Sequence, residues 1–358
     1  MKYKLSDICF YAKGKIDVSG LTDTDYISTE NMIPNKGGIT TASSLPNATQ
    51  TQAYQENDVL VSNIRPYFKK IWFADRNGGC SNDVLVFRAK EDTDARFLYY
   101  VLADDAFFDY STAISKGTKM PRGDKTAIMQ YEVPHFDLSV QKKIAGILSD
   151  IDDKIALNEK INKNLEQQAQ AIFDNMFPNI SNGSCAIGDY ITPKRGKSLL
   201  SKNAIFGDVP VIAGGLEPST YHNVANTQSP VLAISASGAN AGYVSLWNIP
   251  IWSSDSSYID SSMTDDVYFW YVLLKKRQKE IFDAQTGSAQ PHIYPQHIAS
   301  MSVSNLDIEE VHSYTSIVTP IFEIIGHHKE ENTRLASLRD TLLPKLMSGE
   351  LDVSDIDL

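Results

Sequence analysis

The sequence predicts an α+β protein made of two tandem copies of one α/β globule, each followed by a long helix, with the two helices paired as a coiled coil. Three observations predict it. The stretch from Ser139 to Phe177 holds an apolar spacing of alternating four and three residues with no proline. Its seam reads Ile144, Leu148, Ile151, Ile155, Asn158, Asn162, Leu165, Ala169, Ile172 and Met176. Adding 170 to each position lands on Tyr314, Val318, Ile321, Ile325, His328, Asn332, Leu335, Arg339, Leu342 and Leu346, with no gap. The same offset carries Gly117 to Gly287, Pro121 to Pro291, Ile128 to Ile298 and Val133 to Val303, so the chain is a tandem duplication. A helix of this length, roughly 58 Å at 1.5 Å per residue, would leave its stripe in water unless a partner covered it. The second copy supplies that partner. Asn162 and Asn332 share a repeat position and are expected at related levels of the pair, fixing register at some expense of stability. Replacing both with leucine is therefore expected to raise the melting temperature.

Composition sets the limits. A chain of 358 residues with 42% hydrophobic and 22% charged side chains has room for two or three well-packed domains. No segment is apolar enough to span a membrane, and the opening MKYKLSDICFYAKGK lacks the pattern of a signal peptide, so a cytoplasmic location is expected. Cys9, Cys80 and Cys185 are odd in number, far apart and without CxxC spacing, which points to reduced thiols. The net charge of −11 argues against a polyanionic partner, but Glu350, Asp352, Asp355 and Asp357 crowd the tail while cations cluster elsewhere.

Taken in order, the halves open alike, LSDICFYAKGK against IGDYITPKRGK, at an offset of 182. The offset falls to 172 by Val59 and Val231, which places about ten extra residues of the first copy in PNKGGITTASSLPNATQTQ, a loop by composition. DVLVSNIRPYFKKIWFA and SPVLAISASGANAGYVSLW each read as strand, turn and strand, the turns carrying Pro66 and Gly238. CSNDVLVFRAK and SSDSSYIDSSM follow as half-buried strands that set Asp83 opposite Asp255. ARFLYYVL and VYFWYVLL are aromatic helices, with Asp94 and Thr264 as expected caps. A glycine loop, SKGTKMPRGDK or QTGSAQPHIYP, then leads to each long helix.

These features together resemble the specificity subunit of a type I restriction–modification system. The resemblance covers the whole chain and rests on the architecture, on Gly117, Thr118, Gln141, Ile144, Leu165 and Phe177, and on Leu343, Pro344, Lys345, Leu346, Gly349, Glu350 and Leu351. The second copy departs from the pattern in having His312 or its neighbours where the first has Gln141. The resemblance implies a first target recognition domain over residues 1–138, a central helix over 139–178, a second recognition domain over 179–308, a C-terminal helix over 309–350 and an acidic tail over 351–358. It implies that each domain reads one half of a bipartite, asymmetric site in double-stranded DNA and that the two long helices, packed antiparallel, set the spacer. It also implies two modification (methyltransferase) subunits as partners and, through them, restriction subunits.

No catalytic motif is present. The GKS at Gly196 follows Ile191 where a phosphate-binding loop needs glycine, no GxGxxG occurs, and the methyltransferase Asn/Asp-Pro-Pro-aromatic signature is missing, so no cofactor is expected. His292 and His297, and His327 and His328, lack companions at metal-ligand spacing. Asp83 and Glu91 read as solvated or turn-capping acids. The DNA-contact candidates are cations and amides on loops leaving strands: Arg65, Tyr67, Lys69, Lys70, Lys116, Thr118, Lys119, Arg122 and Lys125 in the first copy. Their counterparts in the second are Lys194, Arg195, Lys197, Ser237, Asn240, Ser288, Gln290 and His292. From the residues alone, two other readings stay open: an enzyme, nuclease or methyltransferase, with unrecognised motifs, or a coiled-coil scaffold with protein- or ligand-binding globules.

Overall fold

Both copies are built on a four-stranded antiparallel sheet with the same strand order. In the first it runs Cys9–Tyr11, Val84–Ala89, Val59–Ser62, Ile71–Phe73; in the second, Lys194–Arg195, Ser256–Asp260, Val231–Ser235, Val244–Trp247. These observations come from a computed structural model, which describes residues 3–287, 290–354 and 356. The chain divides into two units, one made of residues up to Ile155 with those from Arg334 on, the other of Ala156–Thr333. The first long helix spans Leu138–Met176 and the second Ile308–Ser348, so each contributes residues to both units.

The central strands are covered on both faces, not half-buried as their alternation suggested. In the first unit Val61 pairs with Leu85 and Leu60 with Val86. Successive side chains point to opposite faces. Val59, Val61, Leu85 and Phe87 pack with Phe97 and Leu98 of the helix Ala95–Ala103, whereas Leu60, Val84 and Val86 pack with Ile27, Tyr54 and Cys80 of a second sheet. The second unit repeats this: Leu232, Ile234 and Ile259 join Phe269 of the helix Val267–Lys276, and Val231 and Ala233 join Ile212 and Ile251.

Asp94 caps its helix as expected, its Oδ1 accepting the Phe97 N–H at 2.9 Å. Gln141 is buried beside it: Oε1 accepts the Asp94 N–H at 2.9 Å and Nε2 donates to the Phe136 carbonyl at 2.8 Å, which ties the long helix to the aromatic one. The second copy solves the same problem with other residues. Its aromatic helix starts after Asp266, not Thr264, whose hydroxyl accepts the Asp266 N–H instead. Val311 holds the Gln141 position, and Asp266 Oδ1 accepts from Thr315 at 2.7 Å and from His312 Nδ1 at 3.0 Å.

The helix seam is legible in both units, with a drift. In the first unit Ile144, Leu148 and Ile151 are buried, and Leu343, Leu346 and Met347 of the second helix share the cluster of the first two. Ile155, Leu335 and Leu342 are half-buried. In the second unit the buried stripe moves one residue on: Phe173, Phe177 and Phe322 form the core while Leu165, Ile172, Met176 and Ile321 are half-buried beside it; Ile325 is fully buried. An undistorted helix drifts about 20° per heptad from a 3.5-residue repeat, and the aromatic anchors follow that drift. Phe173 lies 5.5 Å from the ring of Phe269 and 5.4 Å from that of Tyr314, whose hydroxyl donates to the Ala169 carbonyl at 3.0 Å.

The polar seam residues pair crosswise within the second unit. Asn158 Nδ2 donates to Asn332 Oδ1 at 2.8 Å and to Glu331 at 2.7 Å, and His328 Nδ1 meets Asn162 Oδ1 at 2.8 Å. Asn162 and Asn332 therefore serve different partners, and leucine at both would take one of two acceptors from Asn158, which is 0% exposed, leaving it Glu331, and would strip His328 Nδ1 of Asn162. A buried polar group left unsatisfied costs about 1–3 kcal/mol, whereas replacing both partners with apolar groups is near neutral. The Asn162→Leu/Asn332→Leu variant should thus melt below wild type, and leucine at all four of positions 158, 162, 328 and 332 should recover most of the loss. Thermal unfolding of both variants checks this; a double variant more stable than wild type would refute the cross-pairing.

Candidate nucleic-acid interface

In each unit the strand that leaves the sheet centre runs into a junction with the glycine loop. In the first unit Ile64 pairs with Arg122, and Lys116 and Arg122 exchange backbone hydrogen bonds of 2.9 Å across residues 117–121. In the second, Ser237 pairs with His292, and Thr286 and His292 exchange bonds of 3.0 and 2.8 Å. Thr286 and His292 stand 170 residues beyond Lys116 and Arg122. The turns need glycine: Gly117 has φ 102° and Gly287 φ 96°, and a Cβ on Gly287 would sit 2.6 Å from the Gln290 carbonyl oxygen.

A carboxylate occupies the same place in both junctions. Asp83 immediately precedes the strand Val84–Ala89 and receives Arg122 Nη2 at 3.0 and 3.2 Å on its two oxygens. Asp255 immediately precedes Ser256–Asp260 and receives Arg195 Nη2 at 2.6 Å on Oδ1 and the Ser237 hydroxyl on Oδ2.

Around the first junction the turn Pro66–Phe68 is flanked by Arg65 and Lys69, both left-handed at φ 50° and 51°. Non-glycine residues pay about 1–3 kcal/mol in strained regions and persist only where neighbours hold them. Here the Arg65 N–H donates to the Pro121 carbonyl at 2.8 Å and Arg65 Nη2 to the Lys119 carbonyl at 3.3 Å. Tyr67 and Phe68 stand exposed in this turn, with Arg65 and Lys70 each 6.0 Å from the Phe68 ring centre.

Several cations around the junction are committed within the fold. Lys69 is ion-paired with Asp105 at 2.9 Å, and Lys36 shares that carboxylate at 2.8 Å. Burial pushes the Asp105 carboxyl upward, but the two ammonium groups outweigh it and hold it below its ordinary value. Lys70 donates to the Thr29 carbonyl at 2.6 Å, and burial lowers its amine. Lys69 and Lys70, both DNA-contact candidates by sequence, thus also hold the turn. Lys116 donates to Asp124 at 2.7 Å, which lifts the lysine and lowers the aspartate, and Asp124 also caps the helix Lys125–Ile128.

The ammonium groups of Lys119 and Lys125 make no ion pair among the described residues; both side chains are exposed, as is Thr118. Lys125 also borders an open groove of about 500 Å³ with Lys13, Lys15, Gln50, Gln52 and Asn82. These five escaped the sequence reading, although the 182-residue offset equates Lys13 and Lys15 with Arg195 and Lys197 and so carried the signal. In the second unit Lys194 and Lys197 are exposed on and after an edge strand, and the Lys197 carbonyl accepts from Trp252 Nε1 at 2.8 Å. The Asn240 carbonyl accepts the Tyr243 N–H at 2.9 Å, closing its turn. Gln290 is exposed, its carbonyl 2.8 Å from His292 Nδ1, and His292 stacks on Tyr294 at 6.0 Å. Ser288 lies outside the described residues. No helix among the described residues is long and apolar enough to cross a membrane.

Residues 1–167 match the family model of the type I restriction modification DNA specificity domain. The chain is 24% identical over 308 residues to the type I restriction enzyme MjaIX specificity subunit of Methanocaldococcus jannaschii, covering 75% of this chain and 71% of that one. It is 27% identical over 243 residues to the type I restriction enzyme HindI specificity subunit of Haemophilus influenzae, covering 63% of this chain and 52% of that one. Its fold is that of the type I restriction–modification S subunit from M. genitalium, with a TM-score of 0.62, 19% identity, and 97% and 96% of the two chains covered. Fold and junction thus define a scaffold of two α/β units built on the same strand order. The sequence match to that family falls on the first copy.

The ion pairs under the Pro66–Phe68 turn have a pH signature. Since the folded Asp105 carboxyl titrates below its ordinary value of 3.8, its contribution is present above that value and disappears as pH falls through the lower folded one. Asp105→Asn should cost at most about 1 kcal/mol of global stability, because such pairs are partly exposed. It should nevertheless speed amide exchange of Phe68 and Lys69 at neutral pH. Unchanged exchange there would mean the lysines hold the turn by other means.

Proposed function

We propose that this chain is the non-catalytic sequence-reading subunit of a type I restriction–modification complex, each unit reading one half of a bipartite, asymmetric site in double-stranded DNA. What supports it best is one backbone junction built twice on different side chains. A repeated scaffold suits the two-fold symmetry of the duplex backbone, and dissimilar surfaces suit unlike half-sites. The free lysines of the loops and groove neutralise phosphates, which the net charge of −11 does not prevent because the acids lie largely elsewhere. Two modification subunits assemble on the chain and supply methyl transfer with its cofactor; restriction subunits join through them, and the complex works in the cytoplasm.

Binding to duplex DNA as a function of salt tests this reading. Each phosphate neutralised contributes about −0.9 to the slope of log affinity against log salt. Lys119→Ala/Lys125→Ala should therefore flatten the slope by up to about 2 and weaken all sequences alike. Lys69→Ala should leave the slope unchanged, because Asp105 already holds that charge. Salt-independent binding by the wild type would remove the proposal.

In the same reading the two helices set the spacer between half-sites. One heptad inserted in both adds about 10.5 Å and keeps the seam in phase. The methylated sites made with the partner subunits should then show a spacer longer by about 2 to 3 base pairs, with the half-site bases unaltered. Mapping those sites decides the matter, and an unchanged spacer would discard the ruler.

A further inference from the structure

We propose that Asp83 and Asp255 are positioning residues, each presenting one guanidinium, Arg122 in the first unit and Arg195 in the second, to a guanine of the corresponding half-site. This rests on the reading of the chain as a DNA-recognition subunit.

The two aspartates are equivalent by sequence offset and by place in the sheet, but the arginines they hold are not equivalent. Arg122 corresponds to His292 at the 170-residue offset, and Arg195 corresponds to Lys13 at the 182-residue offset. One carboxylate position has thus gained a guanidinium from two different flanks. A structural staple does not account for this, because neither arginine needs one. Arg122 is already fixed through its backbone to Lys116 and Ile64, and Arg195 through its ladder pairing with Ser257. The glycine loop of the second unit closes through the His292 backbone with no guanidinium at that position. The pairs are also open to solvent, with Arg122 and Arg195 side chains 56% and 40% exposed, and ion pairs so placed contribute little stability.

The geometry does suit recognition. In both pairs the contact runs through Nη2 alone, so the second Nη2 hydrogen, together with Nη1 or Nε, leaves one forked edge for a second partner. Arginine is a long chain with much rotamer freedom, and a carboxylate that fixes one nitrogen removes most of that freedom before DNA arrives. Guanine alone among the bases offers two adjacent acceptors, O6 and N7, on its major-groove edge, matching the fork. Because the guanidinium approaches from opposite flanks in the two units, the guanines fall at different places in the two half-sites.

The test is to co-express the full chain with its modification subunits, map the methylated sites, and run duplex selection on the purified complex. Asp83→Asn should relax a guanine preference at one position of one half-site by about tenfold, leaving the other half-site unchanged; Asp255→Asn should do the converse. Arg122→Ala should relax the same position as Asp83→Asn, the double variant should add nothing, and Asp83→Glu should restore the preference. Folded variants with an unaltered motif, or with affinity lowered equally for every sequence, would overturn the proposal while leaving the recognition reading intact. A wild-type complex that selects no bipartite motif would overturn both. Should Asp83→Asn fail to fold, the Asp255→Asn arm decides alone.

Discussion

A helix of 39 residues with an apolar seam cannot be left in water, and that constraint governs the chain. A single α/β globule is too short to cover such a helix, so the seam needs a second helix of matching length, which the duplication provides. In each unit the covering is done the same way: the two helices meet each other and the aromatic helix docks on them, through Phe97 and Leu98 in one case and Phe269 and Tyr271 in the other. The sheets in turn use those aromatic helices to bury one face of their central strands. The glycine loops meet the sheet at Ile64 and Ser237, just past the ends of the central strands Val59–Ser62 and Val231–Ser235.

The glycine loops are held by backbone more than by side chain. Across Lys116 and Arg122, or Thr286 and His292, the same pair of peptide hydrogen bonds closes the loop whatever the residue is. Side-chain cations near the first junction divide into those used by the fold, such as Lys36, Lys69 and Lys70, and those left over, such as Lys119 and Lys125. The distinction follows from where carboxylates and carbonyls sit, which only tertiary structure sets.

Much of this was legible in the sequence because it is periodic. The seam, the copied glycine loops and the Asp83–Asp255 equivalence all follow from fixed offsets, and the helix bounds fall within a residue or two of the spacing. What escaped depends on contacts that no period encodes. The one-residue drift that buries Phe173 and Phe322 arises where helix meets globule. The pairing of Asn162 with His328, not with Asn332, depends on how antiparallel helices interdigitate. The Lys69–Asp105 pair could not be read because only the fold brings Asp105, 36 positions on (105 − 69), beside that lysine. Thr264 is not the cap because the helix begins after Asp266, whose carboxylate makes no cap bond and turns to Thr315 and His312 instead.

The backbone closure of the glycine loops bears on how such a protein changes over generations. Arg122 and His292 occupy one backbone position, a guanidinium in one copy and an imidazole stacked on Tyr294 in the other, and the loop closes equally well around both. The position is thus released from the stability threshold that makes most substitutions costly. New side chains can be sampled there one at a time, with the scaffold indifferent to the outcome and selection acting on the surface they present.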